Sequence, residues 1–364
     1  MEKNMGQWNG YDKEKERLVE PMHDELQYCG RIDDEEPDAP VFTMPASFVR
    51  MAFTGSSYVK AVVVNKRYYN RSFLGVLLDE VQSKVEVEKD GEPLVLTLAK
   101  DLEKGTEHMV TLFKRMDNCH EYAFLGFLLE YGAKVVKARP LPRKKIEFYG
   151  DSVTAGEVCE AVSYCGKPDP EHEGEFSNAY FSYAWITARR LHARVHLVAQ
   201  GGIALLDGTG YFMDGKIGME SSYRKVRFYQ EEGEREDWDF KRYTPHVVVA
   251  AIGQNDAWPR DVMQEERSDE AEAWRQKYKE WILSLRAQYP EAWIILATTI
   301  LWHSAGWDRS IGKVCAELND PKITHFLYEE NGRGTPGHIR VPEAMNMALE
   351  LSSFINSLGN DIWE

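Results

Sequence analysis

The segment Phe148-Tyr149-Gly150-Asp151-Ser152 places a serine directly after an apolar run and a glycine. The apolar run predicts a buried strand, and the glycine predicts a tight turn at its end. A hydroxyl at such a turn projects into the cleft above a sheet, and its own backbone N–H can face a developing oxyanion. A Gly-Asp-Ser tripeptide alone is weak evidence, since most loop serines form caps or turns. The chemistry it favours is attack of Ser152 on a carbonyl carbon.

Two further loops follow predicted strands and carry hydrogen-bond donors. Gly201 and Gly202 follow the run 195–199, and Asn255 follows the run 247–252. Backbone N–H groups at a glycine and a neutral amide can stabilise an oxyanion without a competing charge. Each loop alone is compatible with a simple turn, but their joint placement after consecutive strands favours an oxyanion hole.

A nucleophilic serine needs a general base, and the chain has 10 histidines. His338 lies in a Gly/Pro loop directly before the last predicted helix, where an imidazole can reach the edge of a sheet. His303 follows the predicted strand 292–301 and is the second candidate.

Three tryptophans close to these loops are candidates for sugar binding. Trp258 follows Asn255, and Trp302 and Trp307 lie beyond the strand 292–301. Their rings could stack on pyranose faces, although ordinary core packing explains each one equally well. No group of His, Cys, Asp and Glu has zinc-like spacing, so we expect neither a metal nor another cofactor.

The elements around these residues change character along the chain. Short β-like runs separated by turn signals such as Asp90-Gly91 fill residues 28–134 and predict a β-sandwich of jelly-roll type. Strands alternate with helices over residues 146–364, including a helix predicted over 179–191 and another over 268–288 with Ser268 as its N-cap. This alternation predicts an α/β layer fold with a mainly parallel sheet. We interpret residues 1–27 as an N-terminal extension and the basic, Pro-bearing stretch 135–145 as a linker.

The bulk composition limits the partners. The formal net charge of −15 disfavours nucleic acid and anionic membranes, and is compatible with neutral carbohydrate. No segment has the apolar length of a membrane span, and the first residues lack a signal-peptide pattern. Five sparsely spaced cysteines fit reduced thiols, so we expect a cytoplasmic protein, and a homo-oligomer is compatible with a spare β-domain.

The order of Gly-Asp-Ser, then Gly, then Gly-x-Asn-Asp, then a late His resembles the SGNH (GDSL) hydrolase superfamily. The β-rich region in front is similar to that of carbohydrate esterase family 2, and phrases along the chain such as Phe124-Leu125-Gly126-Phe127 and Asn178-Ala179-Tyr180-Phe181-Ser182-Tyr183 support this narrower match. This resemblance implies a three-layer α/β/α SGNH domain preceded by a jelly roll. It also implies that Ser152 is the nucleophile and His338 the base. The N–H groups of Ser152 and Gly201 (or Gly202) would form the oxyanion hole with Asn255.

The chain departs from the superfamily at one point. The superfamily usually has an aspartate two or three residues before the catalytic histidine, and this chain has Pro336 and Thr335 there. The resemblance includes members with a Ser–His dyad, so we expect a dyad in which a main-chain carbonyl holds the imidazole. A remote acid such as Glu329 or Glu330 is the alternative.

The function that the resemblance implies is removal of O-acetyl groups from carbohydrates, such as acetylated xylo-oligosaccharides or hexose esters. Two other hypotheses stay open at this point. One is a lipid esterase, thioesterase or acyltransferase on the same scaffold, because a fold does not fix a substrate. The other is a carbohydrate-binding protein without catalysis, which the missing aspartate favours.

Overall fold

The computed structural model describes residues 8–229 and 237–364. The chain divides into two compact units. One unit comprises the chain up to Leu141 together with Glu173–Glu175, and the other comprises Pro142–His172 and Phe176–Glu364. In the described residues, no helix combines the length and the apolar character that crossing a lipid bilayer requires.

The first unit is built from strands. In chain order, β1 to β12 span Glu16–Val19, Gln27–Cys29, Ile32–Asp33, Val41–Phe42, Phe48–Thr54, Val59–Arg67, Ser72–Leu78, Val81–Val87, Pro93–Ala99, His108–Lys114, His120–Glu130 and Lys134–Val136. One antiparallel sheet has the order β3-β4-β11-β6-β9, with β1 paired to β11. The other has the order β12-β5-β10-β7-β8, with β2 paired to β5.

The two sheets share one apolar core. Val63 of β6 and Phe124 of β11 lie in the first sheet, Phe53 of β5 and Leu112 of β10 lie in the second, and all four belong to one cluster of buried side chains. Side chains alternate between the faces of a strand, so each sheet has one apolar face to bury. Burial of these faces against each other makes the predicted β-sandwich.

The structure corrects the predicted N-terminal extension and the predicted linker. Residues 16–19 are not part of an extension, because they form β1 and pair with β11 from Glu16↔Glu130 to Val19↔Phe127. Residues 1–7 of the proposed extension lie outside the described residues. The proposed linker 135–145 also begins and ends in strands, because β12 pairs with β5 and the first strand of the second unit starts at Lys144.

The second unit contains a parallel sheet flanked by helices. Strands β13 to β17 span Lys144–Gly150, Ala193–Ala199, Val247–Ala251, Trp293–Ala297 and Ile323–His325, in the order β14-β13-β15-β16-β17. Helices α1 to α6 span Ser152–Ala155, Tyr183–Arg190, Met219–Ser222, Asp269–Gln288, Ala305–Leu318 and Val341–Ser357. All four strand pairs are parallel, and β15 is buried along its whole length, as its apolar run predicts.

Two neighbouring aromatic residues of β13 show how the helices cover both faces of this sheet. Phe148 packs edge-on against Tyr183 of α2, and Tyr149 packs edge-on against Trp281 of α4. Consecutive side chains of a strand point to opposite faces, so α2 and α4 lie on opposite sides of the sheet. The second unit is therefore the three-layer α/β/α domain that the sequence predicts.

The predicted helices differ from the observed ones in detail. The Ser268 side chain accepts the N–H of Ala271 and caps α4, as predicted. The predicted helix over 179–191 is interrupted at Ser182, which ends a 3₁₀ turn and caps α2. The helix α5 was not predicted.

Candidate active site

Ser152 is the first residue of α1, directly beyond the end of β13. The Asp151 side chain caps this short helix by accepting the N–H of Val153 at 3.0 Å. A Cβ atom at Gly150 would lie 2.1 Å from Thr154 Oγ1, so the tight turn requires a glycine there. The sequence therefore sets Ser152 at the carboxyl edge of the sheet, where α/β proteins bind their ligands.

The buried carboxylate of Asp151 links this turn to those after two other strands. Its Oδ2 atom accepts Gln254 Nε2 at 2.6 Å and lies 3.4 Å from Asn255 Nδ2. Gln254 Oε1 in turn accepts the hydroxyl of Thr299, which follows β16, at 2.8 Å. Burial raises the pKa of Asp151 to about 6, and the donated hydrogen bonds favour its charged form.

The predicted oxyanion residues meet at the same edge. The Gln200 N–H donates to the Gly150 carbonyl at 3.3 Å, which joins the turn of Gly201 and Gly202 to the end of β13. Asn255 Nδ2 donates to the Ile203 carbonyl at 2.9 Å. The turns after β13, β14 and β15 are thus in contact with one another. Which glycine N–H faces the substrate stays a prediction.

His338 lies in the loop before α6, and its imidazole is held by a residue that the sequence did not indicate. Its Nδ1 atom is 2.5 Å from Asp169 Oδ2, and its backbone N–H donates to Asp169 Oδ1 at 2.8 Å. The dyad prediction is therefore wrong in this structure, because a carboxylate and not a main-chain carbonyl holds Nδ1. The alternatives Glu329 and Glu330 are also wrong, because the carboxylate at Nδ1 is that of Asp169, and Glu330 pairs with Arg333.

The other ring nitrogen of His338 lies near Glu157, a residue whose backbone is bonded to the serine turn. Nε2 lies 3.9 Å from Glu157 Oε2, and the Glu157 N–H donates to the Ser152 carbonyl at 2.9 Å. Partial burial lowers the pKa of His338, but the hydrogen bond to Asp169 and the charge of Glu157 outweigh burial and raise it above its ordinary value. Desolvation raises the pKa of Asp169, but its hydrogen bonds to His338 and Arg340 and the charge of His338 outweigh this effect and hold that pKa well below its usual range.

His303, the second candidate base, has both ring nitrogens engaged. Nδ1 lies 2.6 Å from the Leu301 carbonyl, and Nε2 lies 3.1 Å from Asp308 Oδ2. Only 2% of its side chain is exposed. A general base needs an open nitrogen within reach of the substrate, so His303 does not fit that role.

The three tryptophans separate into two groups. More than half of Trp258 and of Trp302 is exposed, whereas Trp307 is fully buried and packs edge-on against Trp274. The prediction that Trp307 binds substrate is therefore wrong. Tyr211, which the sequence analysis missed, stacks on Trp258 with ring centroids 5.6 Å apart. Its N–H donates to the Gly202 carbonyl at 2.8 Å, which connects this exposed pair of rings to the oxyanion turn.

Residues 8–229 and 237–364 contain no cluster of three His, Cys, Asp or Glu side chains suited to hold a metal ion. The groups assembled here are a buried hydroxyl, an imidazole backed by a carboxylate, and backbone and amide donors. This set is suited to acyl transfer through a covalent intermediate.

A three-layer sheet with a Gly-Asp-Ser turn at its carboxyl edge is an SGNH-type hydrolase fold. Residues 28–139 match the family described as Carbohydrate esterase 2 N-terminal. The chain is 31% identical over 306 residues to the cellulase/esterase CelE of Acetivibrio thermocellus, a match that covers 81% of this chain and 33% of CelE. The chain thus spans about a third of the length of that relative.

Two further relatives match nearly along their whole length. An acetylxylan esterase / glucomannan deacetylase of Cellvibrio japonicus is 26% identical over 335 residues, covering 90% of this chain and 87% of that protein. A family two carbohydrate esterase from Clostridium thermocellum, solved in complex with cellohexaose, is 25% identical with a TM-score of 0.75, covering 93% of this chain and 100% of that chain. The chain belongs to carbohydrate esterase family 2.

Proposed function

We propose that this protein is a serine esterase that removes O-acetyl groups from carbohydrates. The observation that carries the proposal is the imidazole of His338, which has the Asp169 carboxylate at Nδ1 and, near Nε2, Glu157, whose N–H donates to the Ser152 carbonyl. That geometry fits a base that accepts a proton from a serine hydroxyl. The carboxylate also removes the main argument for a binding protein without catalysis, which was the missing aspartate.

In the proposed mechanism, His338 takes the proton of Ser152 as its oxygen attacks the acetyl carbonyl. The N–H groups of Ser152 and Gly201 and the amide of Asn255 hold the oxyanion. One amide hydrogen of Asn255 is engaged by Ile203, and the other has only the 3.4 Å contact to Asp151. We assign this second hydrogen to the oxyanion, and loss of one such donor costs about 3–4 kcal/mol of transition-state stabilisation.

Departure of the sugar alcohol then forms the acyl-serine intermediate, which water hydrolyses in a second step. The sugar alcohol leaves with the proton held by His338, which returns the imidazole to its neutral form. A water molecule gives a proton to His338 and attacks the acetyl carbonyl, and acetate leaves while the proton returns to Ser152.

The proposed substrate is an acetylated oligosaccharide, with acetylated xylo-oligosaccharides as the first choice. The relatives named above include an acetylxylan esterase and an esterase bound to cellohexaose. The exposed rings of Tyr211, Trp258 and Trp302 offer flat apolar faces for pyranose rings.

We propose that the protein is cytoplasmic, where short imported oligosaccharides are more accessible than polymer. No disulfide links its five cysteines, all of which lie in described segments. Its assembly as a homo-oligomer stays a prediction.

Replacement of the nucleophile tests the proposal most directly. Ser152→Ala removes the attacking oxygen, so hydrolysis of 4-nitrophenyl acetate and release of acetate from acetylated xylo-oligosaccharide should fall by at least about 10⁴-fold. Ser163→Ala, which changes an exposed serine of the same unit, is the matched control and should retain wild-type turnover. Wild-type turnover in Ser152→Ala would end this mechanism. A strong preference for whole acetylxylan over oligosaccharide would argue against the proposed substrate and location.

A further inference from the structure

Asp169 contacts the histidine loop with both carboxylate oxygens. Oδ2 lies 2.5 Å from His338 Nδ1, and Oδ1 accepts the backbone N–H of His338 at 2.8 Å. The two residues are 169 positions apart in the chain, and Asp169 lies in a loop of its own between α1 and α2. Two bonds from one carboxylate fix both the position of the backbone and the direction of the ring.

We propose that Asp169 is the acid of a Ser152–His338–Asp169 triad and that it takes the place of the aspartate missing before His338. The proposal rests on the esterase function proposed above. Asp169 is a positioning residue, since it acts on the reaction through the imidazole. By accepting the Nδ1 proton it holds the tautomer in which Nε2 is free to accept a proton from Ser152.

Arg340 holds this acid from the other side. Its guanidinium is fully buried, and Nη2 donates to Asp169 Oδ1 at 2.7 Å. Nη1 donates to the backbone carbonyl of His338 at 2.5 Å. The planar fork of the guanidinium therefore binds the acid and the backbone of the base together, a geometry that the single ammonium of a lysine does not reproduce.

The loop that carries Asp169 is also attached to the start of α6. The Glu343 carboxylate accepts the N–H of Gly166 at 2.9 Å through one oxygen and the N–H of Arg340 at 2.7 Å through the other. A Cβ atom at Gly337 would lie 2.5 Å from the Lys167 carbonyl oxygen and 2.7 Å from Asp169 Oδ1. The absence of a side chain at Gly337 thus allows the acid to approach the histidine loop.

The charged groups around the imidazole define what the acid contributes. Asp169 faces Nδ1, Glu157 lies 3.9 Å from Nε2, and the charge of Asp151 also acts on the ring. The guanidinium of Arg340 lies next to Asp169 and binds the His338 carbonyl. Among these groups, Asp169 makes the hydrogen bond to the ring. Its removal therefore changes the orientation and the basicity of the imidazole at once.

The test compares Asp169→Asn with Glu330→Gln, which removes a carboxylate of the His338 loop that pairs with Arg333. Asp169→Asn should lower kcat on 4-nitrophenyl acetate by roughly 10²–10⁴-fold, with a much smaller change in KM. Because Asp169 raises the pKa of His338, the acid limb of the rate profile should move to lower pH in this variant. Glu330→Gln should keep the wild-type kcat and limb.

A second variant displaces the acid without changing an ionisable group. Gly337→Ala places a methyl group against Lys167 and Asp169, so it should reduce kcat and move the acid limb in the same direction as Asp169→Asn. Circular dichroism and thermal melts identify variants that fail to fold. If Asp169 had only a structural role, the variants would give less folded protein, and the acid limb of the pH–rate profile would not move in the fraction that folds.

A readout independent of turnover separates this inference from the proposed function. In an NMR titration of the His338 ring protons, Asp169→Asn should show a lower pKa than the wild type even if no acetyl ester is a substrate. An active wild type in which Asp169→Asn retains full kcat and an unchanged His338 pKa would overturn the triad and leave the esterase standing. Loss of the pKa difference together with an inactive wild type would overturn both.

Discussion

The histidine–aspartate pairs His338–Asp169 and His303–Asp308, both in the second unit, differ in what surrounds the imidazole. His338 is bound at Nδ1 by Asp169, while its Nε2 lies 3.9 Å from Glu157, beyond hydrogen-bond distance. His303 is bound at both nitrogens, by the Leu301 carbonyl and by Asp308. The first side chain is 23% exposed and the second 2%. A carboxylate beside a histidine is thus not sufficient to identify a general base, and an open second nitrogen is the feature that distinguishes one.

The buried pair has a different use. Asp308 accepts His303 through one oxygen and the hydroxyl of Thr298 through the other, at 3.1 and 2.5 Å. These bonds fix the turn that presents the exposed ring of Trp302. The backbone N–H of Trp302 donates to the Thr335 carbonyl at 2.9 Å, in the loop that leads to His338. In the proposed mechanism the first pair serves proton transfer, whereas the second holds the turn that carries Trp302.

Replacement of each histidine by glutamine should give the largest difference between the two pairs. His338→Gln removes the proposed base, so kcat on an aryl acetate should fall by at least about 10⁴-fold while the melting temperature changes little. His303→Gln removes the imidazole that binds Oδ2 of the buried Asp308 carboxylate, so it should reduce the free energy of unfolding by about 1–3 kcal/mol while the folded fraction keeps its pH profile. Equal losses of turnover in the two folded variants would contradict the assignment of separate roles.

Local patterns made much of the fold and part of the site predictable. Ser152, Gly201 and Asn255 each follow an apolar run, and parallel strands bring such positions to one edge of a sheet. Many strands of both units were predictable for the same reason, because burial on one or both faces leaves a period in the sequence.

Contacts between distant segments were not predictable from such patterns. Asp169 has no neighbouring strand or motif, and only the folded chain shows that its loop reaches His338. The strand β1 was missed because its sequence, Glu-Arg-Leu-Val, has no clear apolar alternation. Its buried Glu16 is compensated by an ion pair with Lys60 at 2.8 Å, which single-sequence reasoning cannot anticipate.

Trp307 shows a different kind of error, because the signal was present. The buried residues Trp307, Ile311 and Val314 of α5 recur with the period of a helix. That pattern indicates that the Trp307 ring lies on the apolar face of a helix and not at the rim of a site. The position after a strand end predicted exposure correctly for Trp302 and wrongly for Trp307. A residue close to a strand end in sequence should therefore be assigned to a site only if it does not belong to the apolar face of a helix.

Substitution of Trp302 tests whether the turn held by His303 and Asp308 contributes to sugar binding. Trp302→Ala removes an exposed ring face, so the KM for acetylated xylo-oligosaccharide should rise roughly 10-fold, which corresponds to about 1.4 kcal/mol. The kcat on 4-nitrophenyl acetate should stay at the wild-type value, because this small ester needs no sugar platform. Trp302→Phe, which keeps a smaller aromatic face, should give an intermediate KM. An unchanged KM in Trp302→Ala would remove this residue from the proposed sugar site.

The smallest expected effect concerns the nitrogen that distinguishes His338 from His303. The negative charge of Glu157 near Nε2 contributes to the raised pKa of His338, so Glu157→Gln should lower that pKa. A base is active in its neutral form, and the acid limb of kcat/KM should therefore move to lower pH, with higher relative activity below neutrality. The shift should shrink in high salt, because the Glu157 carboxylate is partly exposed and its charge is screened there. Glu171→Gln, which removes the same charge from an exposed position, is the control and should leave the limb in place. A shift of the acid limb to higher pH in Glu157→Gln would mean that this carboxylate does not stabilise the protonated imidazole of His338.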